Sequence, residues 1–405
     1  MNLIFNKILI WLFFLSLPAT AVKVGGLTYL RPWILIGMLM TLSLLIKFFV
    51  NSFKLKIYKS DYGLYSIFLF LLLCLFNAIF FNNSKSLNYL FAYITVFFIS
   101  IFLIRTFLNS KELLKSALDA NSMAVLIISI YSVIDVMLVM YVHVSPSEFL
   151  NLFDRGNATS NILGIRVLRA YGLSEEPAVL SIYLISLGSL GLWWHVKNTK
   201  NYYIYAFIFF IALLLTFSAS AAFAIFASLF SIFIIKGIPY LLNSLNRLKI
   251  KKLPYFMITI ASSVFLFAMS NSKVFKKLSN PTSSRSGVIR LERLEIGIEN
   301  AQNAGIFGNG LGWTTLKSGL GGSYNNWYLD LVSDLGWLGL FLILVYFFHS
   351  FRTTYKNYKF LGFLPLFSVI CGIYVFLVFG QFFEPHIFIL FSLMTVIINN
   401  KNNLI

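Results

Sequence analysis

The residues best suited to chemistry in this chain begin with one arginine and a pair of carboxylates. Arg169 stands shortly before Glu175 and Glu176. A guanidinium can pair with two phosphate oxygens at once, and a carboxylate can take a proton from an attacking hydroxyl. Ser174, the two carboxylates and Pro177 in succession are also typical of a helix start. Capping and catalysis therefore remain alternatives for both glutamates.

A second group of arginines lies in a later polar segment. Arg285, Arg290 and Arg293 accompany apolar residues at helical spacing, so about 287–301 is predicted to form an amphipathic helix. The apolar residues are Leu291, Leu294 and Ile298. Such a helix could lie on a membrane surface beside anionic lipid. Alternatively, its arginines could form an anion site, and both interpretations stay open at this point.

A glycine-rich stretch follows the amphipathic segment. Its glycines are Gly305, Gly308, Gly310 and Gly312, with three more from Gly319 onwards. The Lys-Ser/Thr ending of a phosphate-binding P-loop is absent. The stretch therefore predicts a mobile or tightly turned connector close to a ligand.

The third polar motif leads into an apolar run. On a helix, its polar residues would form one stripe running into the bilayer, namely Asn326, Asp330, Ser333, Asp334 and Trp337. A carboxylate at membrane depth is costly and normally faces a bundle interior or a wet cavity. Asp330 is therefore a functional candidate, with a structural pairing to an arginine as the alternative. Asp135 and Glu384 are lesser candidates of the same kind.

The composition places these motifs in a membrane protein. Of the 405 residues, 59% are apolar and 11% are charged, whereas soluble domains have about 25% charged residues. The 32 Lys and Arg against 14 Asp and Glu give a formal charge of +18. Most of these cations fall in predicted inner loops, where they orient helices, so nucleic-acid binding is disfavoured. The 4 histidines are scattered without ligand spacing, and no metal or cofactor is expected.

The apolar runs predict an all-α, polytopic membrane protein that forms a single integral domain over 1–405, with both termini in the cytoplasm. Two long outer loops, 143–176 and 271–326, carry the polar motifs. About twelve spans are expected: 3–20, 32–50, 62–81, 87–107, 121–142, 177–196, 202–217, 220–236, 253–270, 327–349, 361–380 and 383–399. Between 202 and 236 we predict two short spans joined by a tight outer turn, because one long helix would invert everything downstream.

In order and placement, these motifs resemble the superfamily of Wzy-type O-antigen polymerases and O-antigen ligases. The first matching segment contains Arg169, Gly172, Glu176 and Pro177. The second contains Arg290, the three glycines Gly308, Gly310 and Gly312, the run from Asn325 to Leu329, and Gly336. Ligases typically have histidine where this chain has Asn325, which favours the polymerase branch. The Ser-Arg pair common in the family is Ser218-Ala219 here.

The resemblance implies a glycosyltransferase of the bacterial inner membrane that acts on the periplasmic side. Its substrate would be an oligosaccharide carried on undecaprenyl diphosphate, and its partners would be membrane lipid, a chain-length regulator and a flippase. The diphosphate would bind Arg169, Arg285, Arg290 and Arg293. The sugar hydroxyls would bind Asn325, Asn326 and Tyr328, and Glu176, Glu175 or Asp330 would be the base. The alternatives are a ligase to lipid A-core, a flippase or transporter, and a scaffold without catalysis.

Overall fold

A computed structural model describes most of the chain, and every structural statement below concerns the residues that it describes. These residues are 3–22, 31–51, 61–81, 83–108, 110–141, 159–162, 165–199, 202–237, 285–317, 322–380 and 384–404. The predicted span 253–270 and the first part of the second long loop, 271–284, lie outside the described residues, as does 143–158 in the first long loop.

The described chain is helical, with one short antiparallel hairpin before Arg169. The first helices are α1 Leu3–Ser16, α2 Pro32–Asn51, α3 Tyr62–Phe80, α4 Ser86–Phe107 and α5 Lys111–Tyr141. The hairpin strands are β1 Thr159–Ile162 and β2 Ile165–Leu168. The next helices are α6 Pro177–Asn198, α7 Tyr202–Leu215, α8 Ala219–Gly237 and α9 Arg285–Asn303. The last are α10 Trp313–Lys317, α11 Trp327–Lys356, α12 Tyr358–Leu361, α13 Phe363–Val375, α14 His386–Asn399 and α15 Lys401–Leu404.

Seven of the described helices are long and apolar enough to cross a membrane, namely α2, α3, α4, α5, α6, α8 and α11. Four shorter apolar helices, α1, α7, α13 and α14, accompany them. Every predicted span except 253–270 coincides with one of these helices. The helical class is therefore confirmed, with the hairpin as an addition, whereas crossing by twelve spans belongs to the proposal below.

The region 202–236 forms two helices joined by a tight turn, as predicted. Thr216 to Ser218 make the turn, and Phe217 has a left-handed φ of 42°. Ser218 then caps α8, because its side chain accepts a hydrogen bond from the Ala221 backbone N–H at 3.3 Å. The polar residues that interrupt the apolar run are thus the residues that reverse the chain.

The contacts sort the helix ends into two groups, one at each end of the bundle. At one end, which we call the α9 end, segment 17–21 pairs with 173–175 and Arg31 pairs with Glu384. At the opposite end, Lys7 lies 3.8 Å from Glu112, and Lys197 lies over the ring of Phe360. Residues that the sequence assigns to the same side therefore meet at the same end of the bundle.

A cluster of aromatic rings packs the start of α11 against its neighbours. Trp327 is fully buried, and its ring centroid lies 4.4 Å from that of Phe376 and 5.9 Å from that of Phe388. Phe347 stacks on Phe376 at 5.8 Å. The Trp327 backbone N–H also donates to the Phe376 carbonyl at 2.9 Å. This packing fixes the first turn of α11, which carries Asp330.

A buried ion pair holds the opposite end together. Arg105 of α4 pairs with Asp61, which also lies 3.2 Å from Nε2 of His349 on α11. The side chains of Arg105 and Asp61 are 7% and 5% exposed. Asp61 in addition caps α3 by accepting from the Leu64 backbone N–H at 3.1 Å. Three helices therefore meet at one carboxylate.

We expect Arg105→Met to lower the free energy of unfolding by about 3–5 kcal/mol, because Asp61 would stay buried without its main cation. Denaturant titration of the purified protein measures this loss. Lys7→Met is the matched control, since its partner Glu112 is 61% exposed and surface pairs contribute about 1 kcal/mol or less. Equal losses from the two variants would contradict a special role for the buried pair.

Candidate functional site

Arg169 follows β2 and is bonded to the turn between α7 and α8. Its Nε donates to the Thr216 carbonyl at 2.9 Å, and the next residue, Ala170, donates its N–H to the Leu215 carbonyl at 2.8 Å. Burial lowers the pKa of Arg169, and the positive charge of Arg290 lowers it further, while Tyr171 and Glu176 act in the opposite direction. Arg169 therefore has a structural bond that the sequence did not indicate, and it lies within electrostatic reach of Arg290.

The two neighbouring glutamates have different surroundings. Glu176 occupies the capping position of α6 without a side-chain capping bond, and it is exposed. Within the described part of the chain its carboxylate has no hydrogen-bond or ion-pair partner, although it acts electrostatically on Arg169. Glu175 is half-buried and lies 3.2 Å from Nη2 of Arg31. Glu176 is thus the more accessible carboxylate.

A helix does start after the Ser174 pattern, but Ser174 itself does not cap it. Its hydroxyl donates instead to the Pro18 carbonyl at 3.2 Å, and the Glu175 N–H donates to the Thr20 hydroxyl at 3.3 Å. Pro177 does occupy the first turn of α6, as predicted. The polar pattern before α6 therefore fastens this segment to the residues that follow α1.

The amphipathic helix is present as α9, and it begins at Arg285, just before the predicted boundary. Arg290 is exposed and Arg293 is half-buried, with its Nη1 donating to the Ser323 carbonyl at 3.2 Å. The side chain of Arg285 lies outside the described residues. Apolar side chains on α9 remain exposed, namely Val288, Ile289, Leu294 and Ile298. α9 packs on α11, and the contact with Ser323 places Arg293 beside the start of that helix.

Asp330 is held at the start of α11 by residues of the preceding loop. Its Oδ2 accepts from the Ser323 hydroxyl at 2.6 Å, and its Oδ1 accepts from the Tyr324 backbone N–H at 3.0 Å. The side chain is buried, and the positive charge of Arg293 acts on it. Both carboxylate oxygens are thus already engaged, so Asp330 organises the loop that also receives Arg293.

The glycine-rich stretch from Gly305 to Gly312 packs tightly against a break in α11. We call this contact between the two segments the clasp. Gly336 has φ 73° and ψ −177°, which interrupts the helix. The Asn309 and Gly310 N–H groups donate to the Ser333 and Asp334 carbonyls, just before the break, at 3.0 and 3.1 Å. A Cβ at Gly308 or at Gly336 would fall inside the backbone of the other segment. Of the two predicted forms of this connector, the tightly turned one is present.

The prediction of one continuous polar stripe on α11 is wrong, because Gly336 interrupts the helix. Asp334 binds the backbone of the glycine-rich stretch. Its Oδ1 accepts from the Thr314 N–H at 2.8 Å and from the Thr314 hydroxyl at 2.7 Å, while its Oδ2 accepts from the Gly312 N–H at 3.0 Å. Trp337, beyond the break, is 52% exposed. The carboxylate is therefore structural, and non-helical backbone at this depth is tolerated because it is buried in protein.

The three residues expected to contact sugar hydroxyls are partly committed to the fold. Asn326 caps α11 by accepting from the Leu329 N–H at 3.2 Å, and the Tyr328 hydroxyl donates to the Ile373 carbonyl at 2.7 Å. Asn325 is half-buried in the left-handed region at φ 59°, and its N–H donates to the Ser323 hydroxyl at 3.0 Å. Of the three side chains, that of Asn325 remains the best placed for a ligand.

Sequence reasoning missed Arg31. Its Nη1 donates to Oε1 of Glu384 at 2.7 Å, and its Nη2 lies 3.2 Å from Oε1 of Glu175. The available signal was its position, because it stands directly before the proline that opens α2 and in a predicted outer loop, where cations are disfavoured. Glu384 therefore joins the site as a partner of Arg31, while the other lesser candidate, Asp135, is buried within α5.

The candidate residues converge at the α9 end from separate parts of the chain. The first long loop brings Arg169 and Glu176, and α9 brings Arg290 and Arg293. Helices α6, α8 and α11 also begin at this end, so their positive dipole ends favour an anion there. No group of three or more His, Cys, Asp or Glu residues that could hold a metal ion occurs among the residues described. The arrangement can bind an anionic group beside an accessible carboxylate.

The fold and the site together define a helical protein with seven candidate membrane-spanning helices and a cluster of arginines at one end of the bundle. No protein-family model and no curated protein matches the chain.

Proposed function

We propose that the protein is a polysaccharide polymerase that transfers a growing glycan from undecaprenyl diphosphate to the next lipid-linked repeat unit. In this proposal the helices span the bacterial inner membrane about twelve times, both termini are cytoplasmic, and the α9 end faces the periplasm. The O-antigen or a similar repeat-unit polymer is the product. The lipid-linked oligosaccharide is its substrate, and a chain-length regulator and a flippase are its functional partners.

One observation carries the proposal, namely that Arg169 lies within electrostatic reach of both Arg290 and the exposed Glu176. The two cations repel each other, because the Arg290 charge lowers the pKa of Arg169 in addition to the larger effect of burial. Such an arrangement stabilises a dianionic group between them, because each guanidinium can bind phosphate oxygens in bidentate fashion. A diphosphate leaving group fits this requirement. The neighbouring Arg293 extends the positive charge along α9 toward Asp330.

The reaction proceeds by attack of an acceptor hydroxyl on the anomeric carbon of the donor chain. A new glycosidic C–O bond forms, and the bond from the anomeric carbon to the diphosphate oxygen breaks with its electron pair staying on the diphosphate. Glu176 takes the hydroxyl proton. Arg169 and Arg290 stabilise the charge that develops on the leaving diphosphate. The sugar-diphosphate bond is already activated, so no nucleotide enters the scheme.

Among the three candidate carboxylates, Glu176 is the base that we select. Glu175 is engaged by Arg31, and both oxygens of Asp330 are engaged by Ser323 and Tyr324. Glu176 alone among them is exposed. Its position at the start of α6 also keeps it within electrostatic reach of Arg169, where the diphosphate would bind. The acceptor hydroxyl can therefore reach it without disturbing another contact.

We expect Glu176→Gln to reduce polymerisation at least about 100-fold, because general-base catalysis typically contributes that much. Glu175→Gln is the comparison one residue away, and we expect a smaller loss because that side chain does not take the proton and the amide oxygen of Gln can still accept a hydrogen bond from Arg31. Rates of chain extension by the purified variants measure both. Full activity of Glu176→Gln at normal protein level would exclude it as the base.

Deletion of the gene in a strain that makes the polymer tests the proposal directly. A polymerase predicts loss of the long-chain ladder while a single capped repeat unit persists. Loss of every capped form would instead indicate the ligase or the flippase function. An intact ladder would contradict all three functions, and restoration by the intact gene on a plasmid excludes effects on neighbouring genes.

A further inference from the structure

We propose that Arg31 is a positioning residue that holds the Glu175–Glu176 segment in place beside Arg169, an inference that rests on the function proposed above. Arg31 lies far from this segment in sequence and outside both long loops. Its role is to fix the direction in which the exposed Glu176 carboxylate points. The contacts of its two terminal nitrogens carry the inference.

Hydrogen bonds at the start of α2 fix the backbone of Arg31. Its carbonyl accepts hydrogen bonds from the Ile34 and Leu35 N–H groups at 3.0 and 3.4 Å, at the start of α2. The side chain is 13% exposed. A guanidinium that is anchored at its backbone and largely enclosed has few rotamers available. It therefore acts as a rigid fork toward whatever it contacts.

The fork spans two carboxylates that belong to different segments. Nη1 binds Glu384, which precedes α14 and is 2% exposed, whereas Nη2 contacts Glu175, which precedes α6 and is 34% exposed. Nη1 makes the hydrogen bond to the deeply buried Glu384, so Nη2 is free to contact a second segment. The second contact therefore ties the loop before α6 to the bundle, and Glu176 is the next residue in the chain.

The same segment is fastened on its other side by residues that follow α1. The Ala21 N–H donates to the Leu173 carbonyl at 3.1 Å, and the Thr20 hydroxyl accepts from the Glu175 N–H. These bonds fix the backbone of 173–175, while Arg31 fixes the Glu175 side chain. Together they leave little freedom for the residue that follows. Removing Arg31 would thus loosen the base rather than remove it.

Arg31 is always charged, so its contacts with Glu175 and Glu384 persist at every pH at which a cell grows. Burial works against the charged form, but the carboxylates of Glu384 and Glu175 outweigh it and hold the pKa of Arg31 above its usual value. The guanidinium is therefore charged at every pH at which a cell grows. Glu175 is correspondingly held as a partner of this cation and is not available to take a proton from the acceptor.

The test uses a double variant, because Arg31→Met alone would leave Glu384 buried without its cation. Arg31→Met with Glu384→Gln removes both charges and keeps the volume of each side chain similar. Since small misplacements of a catalytic group cost up to about 100-fold in rate, we expect kcat to fall about 10- to 100-fold with KM changed less than about threefold. Arg31→Lys is expected to recover part of the rate, since an ammonium keeps the charge but not the fork.

The assay supplies lipid-linked repeat units extracted from a strain that lacks the gene, and it measures kcat and KM for the purified proteins. Glu384→Gln alone is the reference for the double variant. Lys85→Met is the control, because Lys85 is a cation of another predicted outer loop and contacts neither Glu175 nor Glu384. An inactive wild-type protein overturns the proposed function, and this inference with it. An active wild type together with a double variant whose kcat equals that of Glu384→Gln overturns the role of Arg31 alone.

Discussion

Arg169→Ala and Arg290→Ala are each expected to abolish detectable chain growth while the protein level holds. Donors aimed at a developing negative charge contribute about 100- to 1000-fold each. The diphosphate would lose its bidentate partner in either variant. Arg169→Ala additionally removes the bond to the Thr216 carbonyl, so its protein level needs closer inspection. The length distribution of surface polysaccharide on gels, beside an immunoblot, measures both quantities.

The control for these variants is Lys359→Ala, an exposed cation at the opposite end of the bundle. We expect a normal ladder from it. Arg290→Lys separates charge from shape, because an ammonium keeps the attraction to phosphate but cannot bind two oxygens in the plane of a guanidinium. Normal ladders from Arg169→Ala and Arg290→Ala together would exclude the anion site.

Gly336→Ala is expected to have the largest effect on folding. The residue has φ 73°, and an added Cβ would meet the backbone at Ile306. Because neither segment can move without breaking the clasp, we expect a loss of at least about 3 kcal/mol in the free energy of unfolding. The yield of monodisperse protein and its denaturation midpoint measure the loss.

Gly322→Ala is the matched control for the clasp. An added Cβ at Gly322 meets nothing within 4 Å, and its φ lies outside the left-handed region. We expect that variant to behave as wild type. A second variant, Gly308→Ala, places a Cβ in the same contact from the other segment. We expect its loss of stability to resemble that of Gly336→Ala. A stable Gly336→Ala protein would show that the break in α11 does not depend on the close backbone approach.

The positions of the apolar helices could be predicted from the sequence, because each of them coincides with an apolar run of sufficient length. The run 202–236 was split correctly, since Thr216 and Ser218 interrupt it and Ser218 caps the second helix. α9 was found because its apolar residues recur at helical spacing. Such local patterns depend only on neighbours in the chain, so they predict helices independently of the tertiary packing.

The partners of the polar residues could not be predicted, because they depend on which distant segments meet. Asp334 seemed part of a stripe on α11, but Gly336 breaks the helix and the carboxylate turns to the Gly312 and Thr314 N–H groups. Arg31 belongs to none of the sequence motifs, and its partners come from the loops before α6 and α14. One sequence gives residue types and spacing, whereas these contacts are set by tertiary packing.

The most direct test of the proposed function is elongation by the purified protein alone. The protein is placed in lipid nanodiscs with lipid-linked repeat units, and mass spectrometry follows the products. We predict glycans longer by whole repeat units, with one undecaprenyl diphosphate released for each bond formed. Repeat units that stay single in the presence of correctly folded protein would contradict the polymerase function.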